Sequence, residues 1–235
     1  MKNVLEEVQA KLVAKNQRER LNRYFEVQSE LLATDKSLVF ASDLDGAHEQ
    51  YSRIVRHAEG LWGDACTLYL RERFATALAL SISCLEEIGK ISVARFELTL
   101  KAAEPQALQS LSGASTTRKR NPFYSHTQKL LLAAGAGAVV NSRLDRILGM
   151  PAVIAFLDDV ESGKIEPLRQ SCLYSDADGG QLLLPAEQVR PERARFFTVL
   201  SGEVLAEVAG FPASEWKRLI VRVQDFEKRI GHLYE

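Results

Sequence analysis

The chain has 235 residues, with 30 Lys and Arg against 31 Asp and Glu, so its formal net charge is −1. This balance excludes a generally basic protein that binds nucleic acid or anionic membrane through bulk charge, and any such surface must be local. The length permits one domain with helical extensions or two domains.

The cysteines and the N-terminus indicate a cytoplasmic protein. The three cysteines, Cys66, Cys84 and Cys172, lack Cys-x-x-Cys spacing. They predict reduced core thiols rather than a zinc site or a disulfide framework. The charged N-terminus has no apolar core of a signal peptide. The longest uncharged helical run is shorter than the roughly 20 residues of a membrane span, so we expect no membrane contact.

The first part of the chain predicts two helices. Residues 3–32 are rich in Glu, Gln, Lys, Arg and Leu, and their irregular apolar spacing predicts a solvent-facing helix or an oligomerisation arm. Asp43-Leu-Asp-Gly is typical of a turn or a helix cap. A second helix is predicted from about 47 to 71, with Ala58, Trp62 and Ala65 buried.

The third predicted helix carries the most informative motif. From 74 to 85 it has no charged residue, so we expect it to be packed on all sides. It ends in two carboxylates, a glycine and a lysine, where Glu86 and Lys90 have the spacing of a helical ion pair. Glu87 then needs its own partner, and Gly89 allows a close helix crossing. Read from the residues alone, this motif is a structural ion pair.

A basic loop and another helix follow. Residues 102–120 contain Pro105, a Ser-Gly-Ala-Ser-Thr-Thr cluster and Arg118-Lys-Arg120, which predict a loop. Asn121 and Pro122 are typical of a helix start, so we predict a helix from about Pro122 to 148. A shorter helix is predicted from 150 to 162.

The segment from 165 to 187 predicts either a small hairpin or an irregular crossover, with a turn at Asp178-Gly179-Gly180. Asp176, Asp178 and Glu187 resemble part of a calcium loop, but Gly180 and Gln181 occupy positions that such a loop gives to a ligand and to glycine. We therefore expect a turn and no calcium. Two helices, 191–208 and 214–233, complete the chain, and the last has an apolar stripe that packs on the body or on a partner.

The residues from 118 to 129 combine the groups that a phosphate site requires. A helix N-terminus presents free N–H groups, arginine binds phosphate oxygens in pairs, and histidine moves protons near neutral pH. Metal-free cleavage of RNA needs a base for the 2′-hydroxyl, an acid for the leaving 5′ oxygen and fixed cations. Read alone, however, the segment is more often an exposed basic loop before a helix cap.

Three short segments resemble the AbiV family of abortive infection proteins, which belongs to the HEPN group of helical domains. They are Leu85-Glu-Glu-Ile-Gly-Lys90, Ser125-His126-Thr-Gln-Lys129 and Cys172-Leu-Tyr174-Ser-Asp176. The resemblance covers roughly 51–185. It implies an HEPN-like antiparallel helical bundle, in agreement with the all-α pattern of the chain. We therefore predict a helical arm at 1–42, an HEPN-like core at 43–162, and a crossover with C-terminal helices that pack on the core at 163–235.

The resemblance also implies an active site. Arg120 and His126 have the spacing of the HEPN ribonuclease motif, with the polar Asn121 directly after the arginine, and two copies of such a motif meet across a dimer interface. The implied catalytic residues are Arg120 and His126, the implied substrate-binding residues are Arg118, Asn121, Tyr124 and Lys129, and the implied supporting residues are Glu86, Glu87 and Lys90. No metal and no cofactor is implied.

Two functions remain open at this stage. The first is a metal-independent endoribonuclease of antiphage defence that acts on cellular or phage RNA as a homodimer, with a phage protein as a candidate activator. The alternative is a non-catalytic protein that binds a phage protein or the translation apparatus. His48, His57 and His232 are weaker site candidates. A di-iron bundle is rejected because the chain has no Glu-x-x-His motif, and no Walker loop or nucleophile elbow is found.

Overall fold

The structure is a computed structural model, and it describes residues 43–103, 125–135, 150–209 and 213–231, with isolated residues 18, 19, 22, 23, 26, 27, 38 and 39. This part of the chain contains eight helices and one two-stranded sheet. The helices are α1 (Leu44–Leu70), α2 (Phe74–Ala103), α3 (His126–Ala134), α4 (Met150–Glu161), α5 (Ile165–Ser171), α6 (Pro185–Gln188), α7 (Pro191–Val208) and α8 (Ala213–Ile230). The strands are β1 (Asp176–Asp178) and β2 (Gln181–Leu183). The all-α prediction is confirmed.

Helix α1 begins at Leu44, three residues before the predicted start near 47, and Asp43 takes the capping role that was one of its two predicted alternatives. Asp43 is its N-cap, and its carboxylate accepts a hydrogen bond from the Gly46 N–H at 2.6 Å. Trp62 is fully buried and donates its indole N–H to the Thr198 carbonyl of α7 at 2.9 Å. Three residues join α1 to α2, so the two helices pack antiparallel.

Helix α2 is the centre of the protein. It packs against α1, α3 and α7, and none of its residues from 74 to 95 is exposed, which confirms the predicted packing on all sides. The helix nevertheless continues to Ala103, so Glu86 and Glu87 lie in its middle and not at its end. Two carboxylates in the middle of a buried helix need partners from neighbouring helices.

Helix α3 begins at His126, later than the predicted start near Pro122. Ser125 is its N-cap and accepts a hydrogen bond from the Gln128 N–H, so a serine four residues downstream of Asn121 takes the capping role. Pro122 itself, the basic loop and the predicted continuation beyond 135 lie outside the described residues.

The segment from 165 to 187 contains a hairpin, the first of the two predicted alternatives. Strands β1 and β2 pair antiparallel, with Asp178 opposite Gln181. Gly179 and Gly180 have φ values of 55° and 84°, which only glycine adopts without strain. The helix α5 that precedes the hairpin was not predicted.

The C-terminal helix α8 packs on the body of the protein through its apolar stripe. Leu219, Val223 and Phe226 are buried, and two arginines of α8, Arg218 and Arg222, bind Glu59 of α1.

The three cysteines are buried free thiols, as predicted. Nearly all of the predicted arm at 1–42 lies outside the described residues, and the domain boundaries stay a prediction. Among the described helices, none is long and apolar enough to cross a membrane.

Candidate active site

The predicted motifs on α2 and α3 meet at one buried carboxylate. The Oε2 atom of Glu86 lies 2.8 Å from Nδ1 of His126 and 2.6 Å from Nζ of Lys129. His126 and Lys129 are three residues apart on α3, so both reach the same position on α2. We call these three side chains together with Glu166 and Arg169 the carboxylate cluster.

Burial differs sharply within the cluster. The side chains of Glu86 and Lys129 are 8% and 9% exposed, whereas that of His126 is 42% exposed. A buried carboxylate and a buried ammonium are costly unless they are paired, and here each is the partner of the other. The imidazole is therefore held by a buried ion pair and is itself open to solvent.

Helix α5 adds a second acidic residue, Glu166, and a second basic residue, Arg169. Arg169 donates two hydrogen bonds to Glu166, at 2.9 and 2.7 Å, and its Nε lies 3.7 Å from Oε1 of Glu86. Burial raises the pKa of Glu166, but hydrogen bonds from Arg169 and Gln170 outweigh burial and hold that pKa below its usual value. The hydrogen bonds to Glu166 raise the pKa of Arg169. Both side chains of this pair are thus charged at neutral pH.

A comparison with protein families decides the family of this protein. The AbiV model of HEPN domains matches residues 46–206, which include every residue of the carboxylate cluster. The chain belongs to the AbiV family. Membership indicates a role in abortive infection, a defence against bacteriophages. Comparison with curated proteins and with solved structures gave no significant match.

The structure corrects the predicted ion pair of the AbiV motif on α2. Lys90 donates to Glu87 at 2.6 Å, not to Glu86, which binds the two side chains of α3 instead. The predicted pairing fails because Glu86 lies against α3, where a histidine and a lysine are nearer than the next turn of its own helix. Gly89 allows the predicted close crossing, since it faces the backbone of Lys129.

The other predicted site residues divide into two groups. Glu87 and Lys90 form their own partly buried pair on α2. Four residues lie outside the described part of the chain, and their roles stay predictions: Arg118, Arg120, Asn121 and Tyr124.

Glu166 and Arg169 are site residues that the sequence reasoning missed. Their spacing is that of a helical ion pair, but the sequence from 165 to 187 predicts a hairpin or a crossover and no helix. They lie directly before the segment from Cys172 to Asp176 that resembles the family. The helical spacing of Glu166 and Arg169 is the signal that could have identified a short helix before that segment.

The cluster also contains potential metal ligands. One atom each of Glu86, His126 and Glu166 lies within 4.8 Å of the other two. However, Lys129 and Arg169 already balance the two carboxylates, so the charge of the cluster does not require a cation. That balance is compatible with the expectation of metal-independent chemistry, which stays a prediction.

Proposed function

We propose that this AbiV-family protein is an antiphage defence protein that acts as a metal-independent endoribonuclease. It cleaves cellular or phage RNA in the cytoplasm as a homodimer, in which two copies of the segment from Arg120 to His126 form a composite site. The proposal rests on the family, on the sequence motif and above all on the setting of His126.

The setting of His126 carries the proposal. Its imidazole stands at the first residue of α3 and is partly open to solvent, while one ring nitrogen is held by the buried carboxylate of Glu86. A histidine that is oriented on one edge and accessible on the other is suited to general acid–base catalysis. The N-terminus of α3 would add a favourable field for a phosphate group.

We assign a role to each site residue from the chemistry of its side chain. His126 transfers the proton, and Arg120 stabilises the charge that develops on the phosphorus oxygens. Arg118, Asn121 and Tyr124 bind the substrate. Lys129 is a predicted substrate-binding residue, but its burial against Glu86 favours a supporting role.

A second function, a non-catalytic protein that binds a phage protein or the translation apparatus, is favoured by one observation. The hairpin and its flanks expose large apolar side chains, namely Leu173, Tyr174, Leu182 and Leu184. Such side chains are common where proteins dock. In this reading the carboxylate cluster is purely structural.

Cleavage of RNA tests the two functions. Wild type, His126→Ala and His57→Ala are purified and incubated with total cellular RNA in EDTA, and the fragment ends are mapped. His57 is an exposed histidine of α1, so His57→Ala is the matched control. The ribonuclease is expected to give fragments with cyclic-phosphate ends from wild type and the control, and none from His126→Ala.

The same variants are expressed in phage-infected cells, where any activator is present. Loss of both RNA cleavage and phage protection in His126→Ala alone supports catalysis. If His126→Ala protects cells as well as wild type does, and no cleavage depends on His126, the binding function is correct. Thermal unfolding and the oligomeric state of each variant show whether its fold is intact.

A further inference from the structure

The chemistry of His126 depends on which of its ring nitrogens carries the proton. Nδ1 lies 2.8 Å from Oε2 of Glu86. A neutral imidazole has one N–H donor and one acceptor nitrogen, and an ionised carboxylate can only accept. If Glu86 is ionised, Nδ1 must therefore bear the hydrogen and Nε2 must carry the free electron pair.

Two cationic groups lie next to the carboxylate of Glu86. The ammonium of Lys129 lies 2.6 Å from the same oxygen and is almost as buried as the carboxylate. The guanidinium of Arg169 lies 3.7 Å from the other oxygen. A buried ammonium needs a counter-charge, and the carboxylate of Glu86 supplies it. Oε1 accepts no hydrogen bond from the described residues, so Oε2 is the atom that positions the ring.

The second carboxylate of the cluster does not position the ring. Glu166 lies 3.8 Å from Nδ1, beyond hydrogen-bond distance. Its oxygens are occupied by two hydrogen bonds from Arg169 and one from Gln170. Glu86 is thus the one described residue that fixes the imidazole.

We propose that Glu86, held ionised by Lys129, is the positioning residue that fixes the Nδ1–H tautomer of His126 and makes Nε2 the general base. For the reaction itself this inference rests on the proposed ribonuclease function. The proton of the RNA 2′-hydroxyl moves to Nε2, the 2′ oxygen bonds to phosphorus, and the bond from phosphorus to the 5′ oxygen breaks. The leaving 5′ oxygen takes a proton from the imidazolium of the second protomer. Glu86 stabilises the imidazolium that forms on its own side.

The tautomer can be measured without any RNA. Long-range ¹H–¹⁵N spectra of the histidine rings are recorded above pH 8 for wild type, with His126→Gln used to assign the signal. The expected result is an Nδ1–H, Nε2-unprotonated ring. A ring with its hydrogen on Nε2 would overturn the proposal, whether or not the protein cleaves RNA.

Two variants separate the positioning from the charge. The double variant Glu86→Leu/Lys129→Met replaces the buried ion pair by apolar side chains of similar size, a change that buried pairs often tolerate. His126 should then lose its preference for the Nδ1–H form. Glu86→Gln removes the charge and replaces one oxygen by an NH2 group. The ammonium of Lys129 requires an acceptor at the position of Oε2, so the amide oxygen should occupy it, accept from Nδ1 and retain the Nδ1–H form. Glu166→Gln should also leave the tautomer unchanged.

The kinetic test uses the same variants on a cleavable RNA. The double variant should lower kcat by about 10²- to 10⁴-fold, the range of general acid–base catalysis, with KM little changed. The kcat of Glu86→Gln should lie between those of the double variant and wild type. Glu49→Gln alters an exposed pair on α1 and should cleave RNA as wild type does. A double variant that folds, loses the tautomer and still cleaves at the wild-type rate would refute the positioning role. A wild-type protein that shows the tautomer but cleaves no RNA would refute the ribonuclease instead.

Discussion

Gly89 of α2 faces the backbone of Lys129 of α3, where the two helices that build the site cross closely. A Cβ atom added at Gly89 would lie 2.8 Å from the carbonyl carbon of Lys129 and nearer still to its oxygen. Gly89 stands three residues after Glu86, which contacts the Lys129 side chain. The glycine therefore sets the distance at which the carboxylate meets the imidazole and the ammonium.

The first prediction concerns this approach. Gly89→Ala should force α3 away from α2, because the added methyl group meets rigid backbone. We expect the free energy of unfolding to fall by about 1–3 kcal/mol, the usual cost of overpacking. RNA cleavage should fall as well, because Glu86 no longer reaches both of its partners. Chemical denaturation and cleavage kinetics measure the two effects.

Gly60→Ala is the matched control for this variant. Gly60 also lies inside a helix, but nothing stands within 4 Å of a Cβ added there. Alanine has the higher helix propensity, so Gly60→Ala should be neutral or should stabilise the protein by up to about 1 kcal/mol. If the two substitutions changed the free energy of unfolding equally, the crossing of α2 and α3 would have space for a methyl group at Gly89.

The second prediction concerns the partner of Glu86. Glu86→Ala leaves the buried ammonium of Lys129 unpaired, and we expect a loss of about 3–5 kcal/mol in the free energy of unfolding. Lys129→Ala should cost a similar amount. Glu87→Ala, one residue along the same helix, breaks only the partly exposed pair with Lys90 and should cost about 1 kcal/mol or less. If Lys90→Ala proved as costly as Glu86→Ala while Lys129→Ala proved mild, the pairing predicted from the sequence would be the correct one.

The sequence predicted the elements well wherever local signals decide them. The uncharged run before Glu86 predicted a helix packed on all sides, Asp43-Leu-Asp-Gly predicted a turn or a cap where Asp43 caps α1, and the two glycines at 179 and 180 predicted the turn of the hairpin. In each case short-range chemistry, namely burial, capping or a positive φ, fixes the local structure.

The site was predicted less completely because ion pairs between helices depend on tertiary packing. Spacing along α2 favoured Lys90 as the partner of Glu86, but the crossing of α3 brings Lys129 and His126 closer. Glu166 and Arg169 were missed because helix α5 was not predicted, and the fold then brings that helix to the middle of α2. A spacing rule of about 0.2–0.5 kcal/mol per pair is too weak to compete with such packing.

The third prediction concerns acid stability and the docking of α8. Glu59 is buried on α1 and accepts hydrogen bonds from Arg218 at 2.6 Å and from Arg222 of the same helix. Burial raises the pKa of Glu59, but the hydrogen bonds and charges of the two arginines outweigh it, so its pKa lies below the ordinary value of 4.5. Between the two values the unfolded chain binds a proton that the folded protein does not. The stabilisation by Glu59 is therefore present above about pH 4.5 and is lost as the pH falls through the lowered pKa.

Glu59→Gln tests this linkage. At pH 7 the variant should be less stable than wild type by about 1–3 kcal/mol, because two charge-assisted interactions are lost while the half-exposed arginines regain water. The difference in the free energy of unfolding between the two proteins should shrink below pH 4.5, because wild type then loses the contribution of Glu59. The other carboxylates titrate alike in both proteins and do not affect the difference. Urea denaturation from pH 7 to pH 3 measures this difference. The control Glu49→Gln alters an exposed pair and should stay within about 0.5 kcal/mol of wild type at every pH. A stability difference for Glu59→Gln that did not change with pH would mean that the charge of Glu59 contributes nothing to the docking of α8.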